Sequence, residues 1–253
     1  AVADELTLPQ VSVARTPDQP PATETDVSGE WDKRLTSNFG VGFEGTWTDL
    51  RLPGGDITGF QNLGTTFKYL LATDAPHELM VSVGLEVEWG GTGASRVGAD
   101  DTTTLTPTFY FGKGAGDLPQ SLAWARPLAL TGVIGYAAPL RSGDERDLES
   151  GFALEYSLRY LSSHVKDIGL PSVVNQMTPV VEVSLTTPVA HGESAGTTGT
   201  INPGLIWSGR RIQVGAEAVF PINGASGRSV GAVLQVHWFI DDLFPRSLGK
   251  PIW

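Results

Sequence analysis

A two-residue alternation of apolar and polar side chains recurs in segment after segment of this chain, from residue 25 to about residue 240. In residues 79–90 the odd positions are Leu79, Val81, Val83, Leu85, Val87 and Trp89. The even ones are Met80, Ser82, Gly84, Glu86, Glu88 and Gly90. A strand turns successive side chains to opposite faces, so this stretch has one apolar face and one that is small or charged. Soluble sandwich strands also alternate. Here nearly every segment does so, at roughly the 9–11 residues a tilted strand needs to cross a bilayer. The pattern predicts an all-β fold, a single antiparallel transmembrane β-barrel.

A hydropathy plot misses such a protein. Mean hydropathy is -0.03 because lumen residues offset lipid-facing ones, and no apolar run reaches the ~18 residues of a membrane-crossing helix. Gly 31, Trp 7 and Phe 10 with only 18% charged residues suit a sheet with tight turns and interface aromatics. Cys 0 excludes disulfides, thiolate metal sites, thiol catalysis and covalent haem attachment together. The net charge of -11 argues against nucleic acid as a partner. The chain starts at Ala1 rather than Met, as expected of an exported protein whose signal peptide has been removed.

Strand candidates fall at 25–32, 36–50, 57–71, 77–90, 101–112, 124–137, 149–163, 177–188, 197–208, 210–222 and 228–240. Turn clusters such as Leu52-Pro53-Gly54-Gly55-Asp56 and Asp74-Ala75-Pro76 separate them. That list is odd, and single-chain bacterial barrels are usually even with both termini in the periplasm. If the last strand runs downward, a missing upward strand precedes residue 25, and 5–14 is the only candidate. Twelve strands are therefore expected, with ten as the fallback. The chain divides into an amino-terminal segment (1–24, with a Pro-rich linker), a barrel (25–240) and a carboxy-terminal tail (241–253). The Pro-rich segment and the tail are both expected on the periplasmic side.

The alternation assigns faces. Phe43, Phe67, Phe109, Leu154, Val214 and Leu234 point to lipid. Glu44, Lys68, Glu86, Glu88, Glu155, Arg159, Glu182, Arg211, Glu217 and His237 are expected to line the lumen. A basic residue at mid-bilayer on the lipid face costs roughly 2–4 kcal/mol, and none falls there in this assignment. Six of these lumen residues are glutamates, against Lys68, Arg159 and Arg211. Two readings follow: a narrow pore favouring cationic or neutral polar solutes, or a salt-bridged, non-conducting interior. Catalysis is not expected. His77, His164, His191 and His237 are scattered without metal-binding spacing, and no nucleophile elbow or phosphate loop occurs. No cofactor is expected either.

The last strand, Ser229-Val230-Gly231-Ala232-Val233-Leu234-Gln235-Val236-His237-Trp238-Phe239, resembles the final-strand signal read by the barrel-assembly machinery. With Asn202-Pro203-Gly204-Leu205, Arg211-Ile212-Gln213-Val214-Gly215-Ala216, Phe220-Pro221-Ile222-Asn223 and Glu30-Trp31-Asp32-Lys33-Arg34-Leu35, the chain is similar to a family of outer-membrane transporters. That family is associated with the meta-pathway of phenol degradation. The resemblance implies passage of small molecules across the bacterial outer membrane, and no site residue transfers from it. One departure is that fourteen residues follow Phe239. Their apolar members are costly as a cluster in water, so the tail is expected either to pack on the barrel or to dock a periplasmic partner through Asp241, Asp242, Phe244 and Trp253. A barrel acting as a docking subunit is the alternative to a channel.

Overall fold

The computed structural model describes residues 2–16, 22–191 and 196–253. Thirteen strands follow in order: β1 (Glu5–Arg15), β2 (Thr23–Arg34), β3 (Phe39–Leu52), β4 (Gly55–Phe60), β5 (Leu63–Asp74), β6 (Leu79–Trp89) and β7 (Thr104–Gly114). Then come β8 (Leu128–Pro139), β9 (Arg146–Tyr156), β10 (Met177–Ala190), β11 (Thr198–Ser208), β12 (Ile212–Pro221) and β13 (Gly231–Phe239). Every pairing is antiparallel. β1 pairs with both β2 and β13, β2 pairs with β3, and β3 passes the ladder to β5, so the sheet closes on itself. β4 pairs only with the far half of β3 and stands outside the ring. The result is a closed twelve-strand barrel with one extra strand, and closure leaves no unpaired ring edge in lipid.

Two sequence expectations are corrected here. The segment 57–71 is two strands, because the chain turns at Gln61-Asn62. The Gln61 amide reaches Thr48 Oγ1 and Val97 O there, and the Asn62 amide reaches Glu88 Oε1 and Asp100 O. The segment 149–163 stops being a strand at Tyr156. Ser157 Oγ accepts from Tyr160 N at 3.1 Å and caps a short helical run over Leu158–Tyr160 and Leu161–Val165. Alternation alone cannot detect that cap, since Leu158 and Tyr160 stay in phase with the strand before them.

Antiparallel order places both ends of the chain at one end of the barrel, together with the connections after β2, β5, β7, β9 and β11. Thr16 and Ala22, which flank the connection between β1 and β2, lie at the opposite end and are tied by Thr16 N to Ala22 O at 3.0 Å. The residues that flank the Pro-rich stretch therefore lie at the end away from the tail, because β1 has already crossed the barrel. Pro17, Pro20 and Pro21 lie outside the described residues.

Register turns the alternation into two faces. Phe43, Phe67, Phe109, Leu154, Leu205 and Leu234 are exposed on the outer wall, as side chains facing acyl chains must be. Outward aromatics gather at both rims. Trp31, Phe39, Tyr69, Trp207 and Trp238 stand toward the termini, and Trp47, Trp89, Tyr136 and Phe220 toward the other end. From Phe39 to Trp47 along β3 is eight residues, about 27 Å of strand, or ~20 Å of height at a tilt of ~40°. That matches an apolar band between two aromatic girdles.

Candidate functional site: the barrel lumen

Successive register partners put the carboxylates side by side on one arc of the inner wall. Glu30 stands across from Glu44, Glu44 across from Gly64, and Gly64 across from Glu88. One step further along, Thr66 opposes Glu86 and Lys68 opposes Gly84. Like charges directly opposite each other in a sheet are destabilising. The charges of the Glu30–Glu44 pair therefore oppose folding rather than support it.

Lys68 is held by an aromatic ring rather than by a carboxylate. Its Nζ lies 4.5 Å from the centroid of the Tyr110 ring, a cation–π contact, while Tyr110 donates its hydroxyl to Glu86. Gly84 makes the arrangement possible. A Cβ at this position would lie 2.8 Å from Phe67 O and 3.1 Å from Tyr110 Cε2, so only glycine lets the ring lie across the strand.

The adjoining arc is lined mainly by short side chains. A cavity of about 950 Å³ runs along β6 to β10, bounded by Ser82, Thr106, Thr108, Thr131, Ser184 and Thr186, with Glu86, Glu149 and Glu182 among them. Ser82 is 1% exposed and its Oγ has no hydrogen-bond partner within the protein. Inward glycines at 135 and 151 widen this arc, since a Cβ there would press on Thr106 and Val133.

Of the residues expected in the lumen, Glu44, Lys68, Glu86, Glu88, Glu155, Glu182, Glu217 and His237 all lie on ring strands at inward register. His237 sits near the termini end, where Nδ1 is 2.9 Å from Thr7 Oγ1 and Nε2 is 3.4 Å from Glu5 Oε2. Two are corrected. Arg159 is exposed in the helical run after β9, and Arg211 is exposed in the turn before β12. The sequence placed both inside by extending strands past their ends, and removing them leaves the interior more acidic than expected. Tyr110 and Glu149 were not singled out, although parity with Thr108 and with Gly151 puts both inward.

The ion pairs among the described residues lie mostly at the barrel ends. Asp49–Arg51, Asp101–Arg141 and Asp144–Arg141 are at one end; Asp74–His77, Asp117–Lys113 and the Asp4 pairs are at the other. Inside the lumen the pair is Glu5–His237. Among the described residues no three His, Asp or Glu side chains gather into a group able to hold a metal ion.

The tail is fixed to the barrel. Asp4, 0% exposed, accepts from Lys33 Nζ at 2.6 Å and from Arg34 N and Nε at 2.9 and 2.7 Å. Lys33 Nζ also donates to Leu248 O (2.9 Å) and Lys250 O (2.5 Å), and Arg34 Nη2 donates to Gly249 O. Trp253 N reaches Leu35 O at 2.9 Å. Burial alone pushes the Asp4 carboxyl up, but the Lys33 and Arg34 bonds outweigh it and hold it below its ordinary value. Asp241 Oδ2 lies 3.9 Å from Arg34 Nη2, while Asp242, Phe244 and Trp253 are exposed.

No protein-family profile and no curated protein matches the chain in sequence. Among solved structures it is similar to an outer-membrane channel from Pseudomonas putida F1, with TM-score 0.59 and 11% identity over 94% of this chain and 96% of that one. It is similar to the NanC porin, with TM-score 0.57 and 13% identity over 91% and 98%. The KdgM porin gives TM-score 0.55 and 10% identity over 92% and 98%. At such identities the likeness is one of fold, and that fold is a closed twelve-strand barrel of the outer-membrane porin type.

Proposed function

We propose that this protein is an outer-membrane channel for small polar solutes that are neutral or positively charged. One observation carries the reading: the lumen holds a cavity of about 950 Å³ whose wall combines hydroxyls with carboxylates that no ion pair among the described residues neutralises. A salt-bridged plug would need basic partners for Glu44, Glu86, Glu88, Glu149 and Glu182. The inward lysine of that region, Lys68, instead lies over Tyr110. Carboxylates on a low-dielectric wall act on a passing ion at short range and favour cations. The cavity's Ser and Thr hydroxyls offer donors and acceptors that replace part of a polar solute's hydration.

The KdgM porin has been solved with oligogalacturonate, a polyanion. The acidic lumen here argues for the opposite charge preference on a shared fold. The phenol-degradation association implied by the sequence resemblance is compatible with a neutral solute small enough for this cavity. The test is reversal potential in planar bilayers under a salt gradient. Cation-preferring current supports the proposal; anion preference, or no current and no uptake of neutral sugars into vesicles, overturns it.

A further inference from the structure

We infer that the carboxy-terminal tail is a membrane anchor, seated in the headgroup layer of the leaflet at the termini end and held against the outer wall of the barrel. Lys33 shares the outward parity of Trp31, which is exposed on the lipid face and stacks on Phe43 with centroids 6.1 Å apart. The ammonium that binds Leu248 O and Lys250 O therefore reaches them from the lipid side of β2, while Arg34, the last residue of β2 and of lumen parity, reaches Gly249 O over the rim. Asp4 has the same parity one register step beyond Leu6↔Trp31 and Glu5↔Asp32, and its complete burial lies under this tail.

Depth follows from register. Lys33 is two residues past Trp31, about 7 Å along the strand, and less than that in height once the strand's tilt is included. Leu35 donates to Phe39 O at 2.9 Å, and Phe39 belongs to the same aromatic girdle. The polar layer on each side of the hydrocarbon core is roughly 5–7 Å thick, so a tail tied to Lys33 and Leu35 lies within it.

The side chains match that solvent. Phe244, Leu248, Ile252 and Trp253 are 48%, 53%, 55% and 80% exposed, while the backbone between them is tied down. Arg246 and Lys250, also exposed, alternate with them. Asp241, 3.9 Å from Arg34, and the exposed Asp242 precede this run. From Phe244 onward the charged side chains are basic, and apolar and aromatic side chains interspersed with basic ones are the composition that partitions into an anionic headgroup layer. The surface is continuous with the lipid-facing wall, which selects lipid over a soluble partner. This inference is independent of what the lumen conducts.

The chain has no cysteine, which makes the test direct. Single Leu248→Cys and Trp253→Cys variants of the full chain are labelled with a polarity-sensitive fluorophore. They are reconstituted in vesicles of phosphatidylethanolamine and phosphatidylglycerol. Leu234→Cys on the lipid wall and Ser142→Cys in an exposed loop at the other end serve as references. Lipids carrying a nitroxide in the headgroup or upper acyl chain should quench the tail labels at least half as strongly as the Leu234 label. Aqueous iodide should quench them several-fold less than the Ser142 label. Quenching by iodide alone overturns the inference, because the tail then stands in water. Protection from both quenchers also overturns it, because a second copy of the protein then covers the tail.

Discussion

Asp4 Oδ1 accepts a hydrogen bond from Lys33 Nζ at 2.6 Å, in a position closed to water and covered by the last residues of the chain. One residue thus joins three parts of the chain. The Asp4 carboxylate holds Lys33 and Arg34 at the end of β2, and these two side chains hold the tail backbone, while the Asp4 backbone carbonyl accepts from Ile240 N at 3.0 Å. Removing one partner of a buried pair leaves the other charge unpaired, at about 3–5 kcal/mol. Asp4→Ala should lower the stability of the folded barrel by roughly 3 kcal/mol, read from urea unfolding in lipid vesicles. Asp242→Ala, an exposed neighbour, should change it by less than about 0.5 kcal/mol.

The same contact has a pH signature. Lys33 and Arg34 hold the Asp4 carboxyl below its ordinary value despite burial. A group whose pKa is depressed on folding contributes its stability above the unfolded value and loses it as pH falls through the folded one. The latch should therefore be intact at neutral and mildly acidic pH and weaken only below roughly pH 4. Hydrogen exchange at the Gly249 and Trp253 amides, corrected for intrinsic rate, reads this directly. Opening of the tail at pH 6 would contradict it.

The sequence carried the fold because the bilayer and the lumen impose a two-face pattern, and that pattern runs through residues 79–90 with Met80 as the one large apolar residue on the inner face. It carried the strand number through parity: Glu5–Arg15, interrupted by Pro9, was needed to make the ring even. It could not carry the ends of strands. Arg159 and Arg211 kept the inward phase of β9 and β12, yet a Ser157 cap and a tight turn had already taken the backbone out of the wall. Nor could it show that Lys68 lies over Tyr110, because that depends on a missing side chain at Gly84, on the strand that lies between theirs.

The two faces make opposite demands on one substitution. Leu234 is 58% exposed on the outer wall between the girdles, and Ser184 faces the cavity. Leu234→Arg should destabilise by about 2–4 kcal/mol, as a basic residue near mid-bilayer does. Ser184→Arg places its charge among Glu149 and Glu182 and should cost under about 1 kcal/mol, while cutting conductance. Folding efficiency into vesicles and urea unfolding compare them. Equal costs would mean that the assignment of faces is wrong.

Charge selectivity should reside in the wall rather than at the mouth. Glu86 and Glu88 occupy consecutive inward positions on β6, bound to the Tyr110 hydroxyl and to Asn62 Nδ2. Asp100 and Asp101 lie in the connection after the same strand. Asp101 is exposed and paired with Arg141 at 2.7 Å, a bond that holds its carboxyl below the ordinary value. Loop charges act on a permeating ion through water and are screened over roughly 8 Å at physiological ionic strength. Wall charges face it across the lumen with protein behind them, where the effective dielectric is lower and the interaction stronger. Glu86→Gln with Glu88→Gln keeps the shapes and the hydrogen-bonding capacity of both side chains. The double variant should lose most of the cation preference measured as reversal potential, whereas Asp100→Asn with Asp101→Asn should change it by a small fraction of that amount. If the loop pair has the larger effect, selectivity is set at the mouth and the carboxylates of the wall serve another purpose.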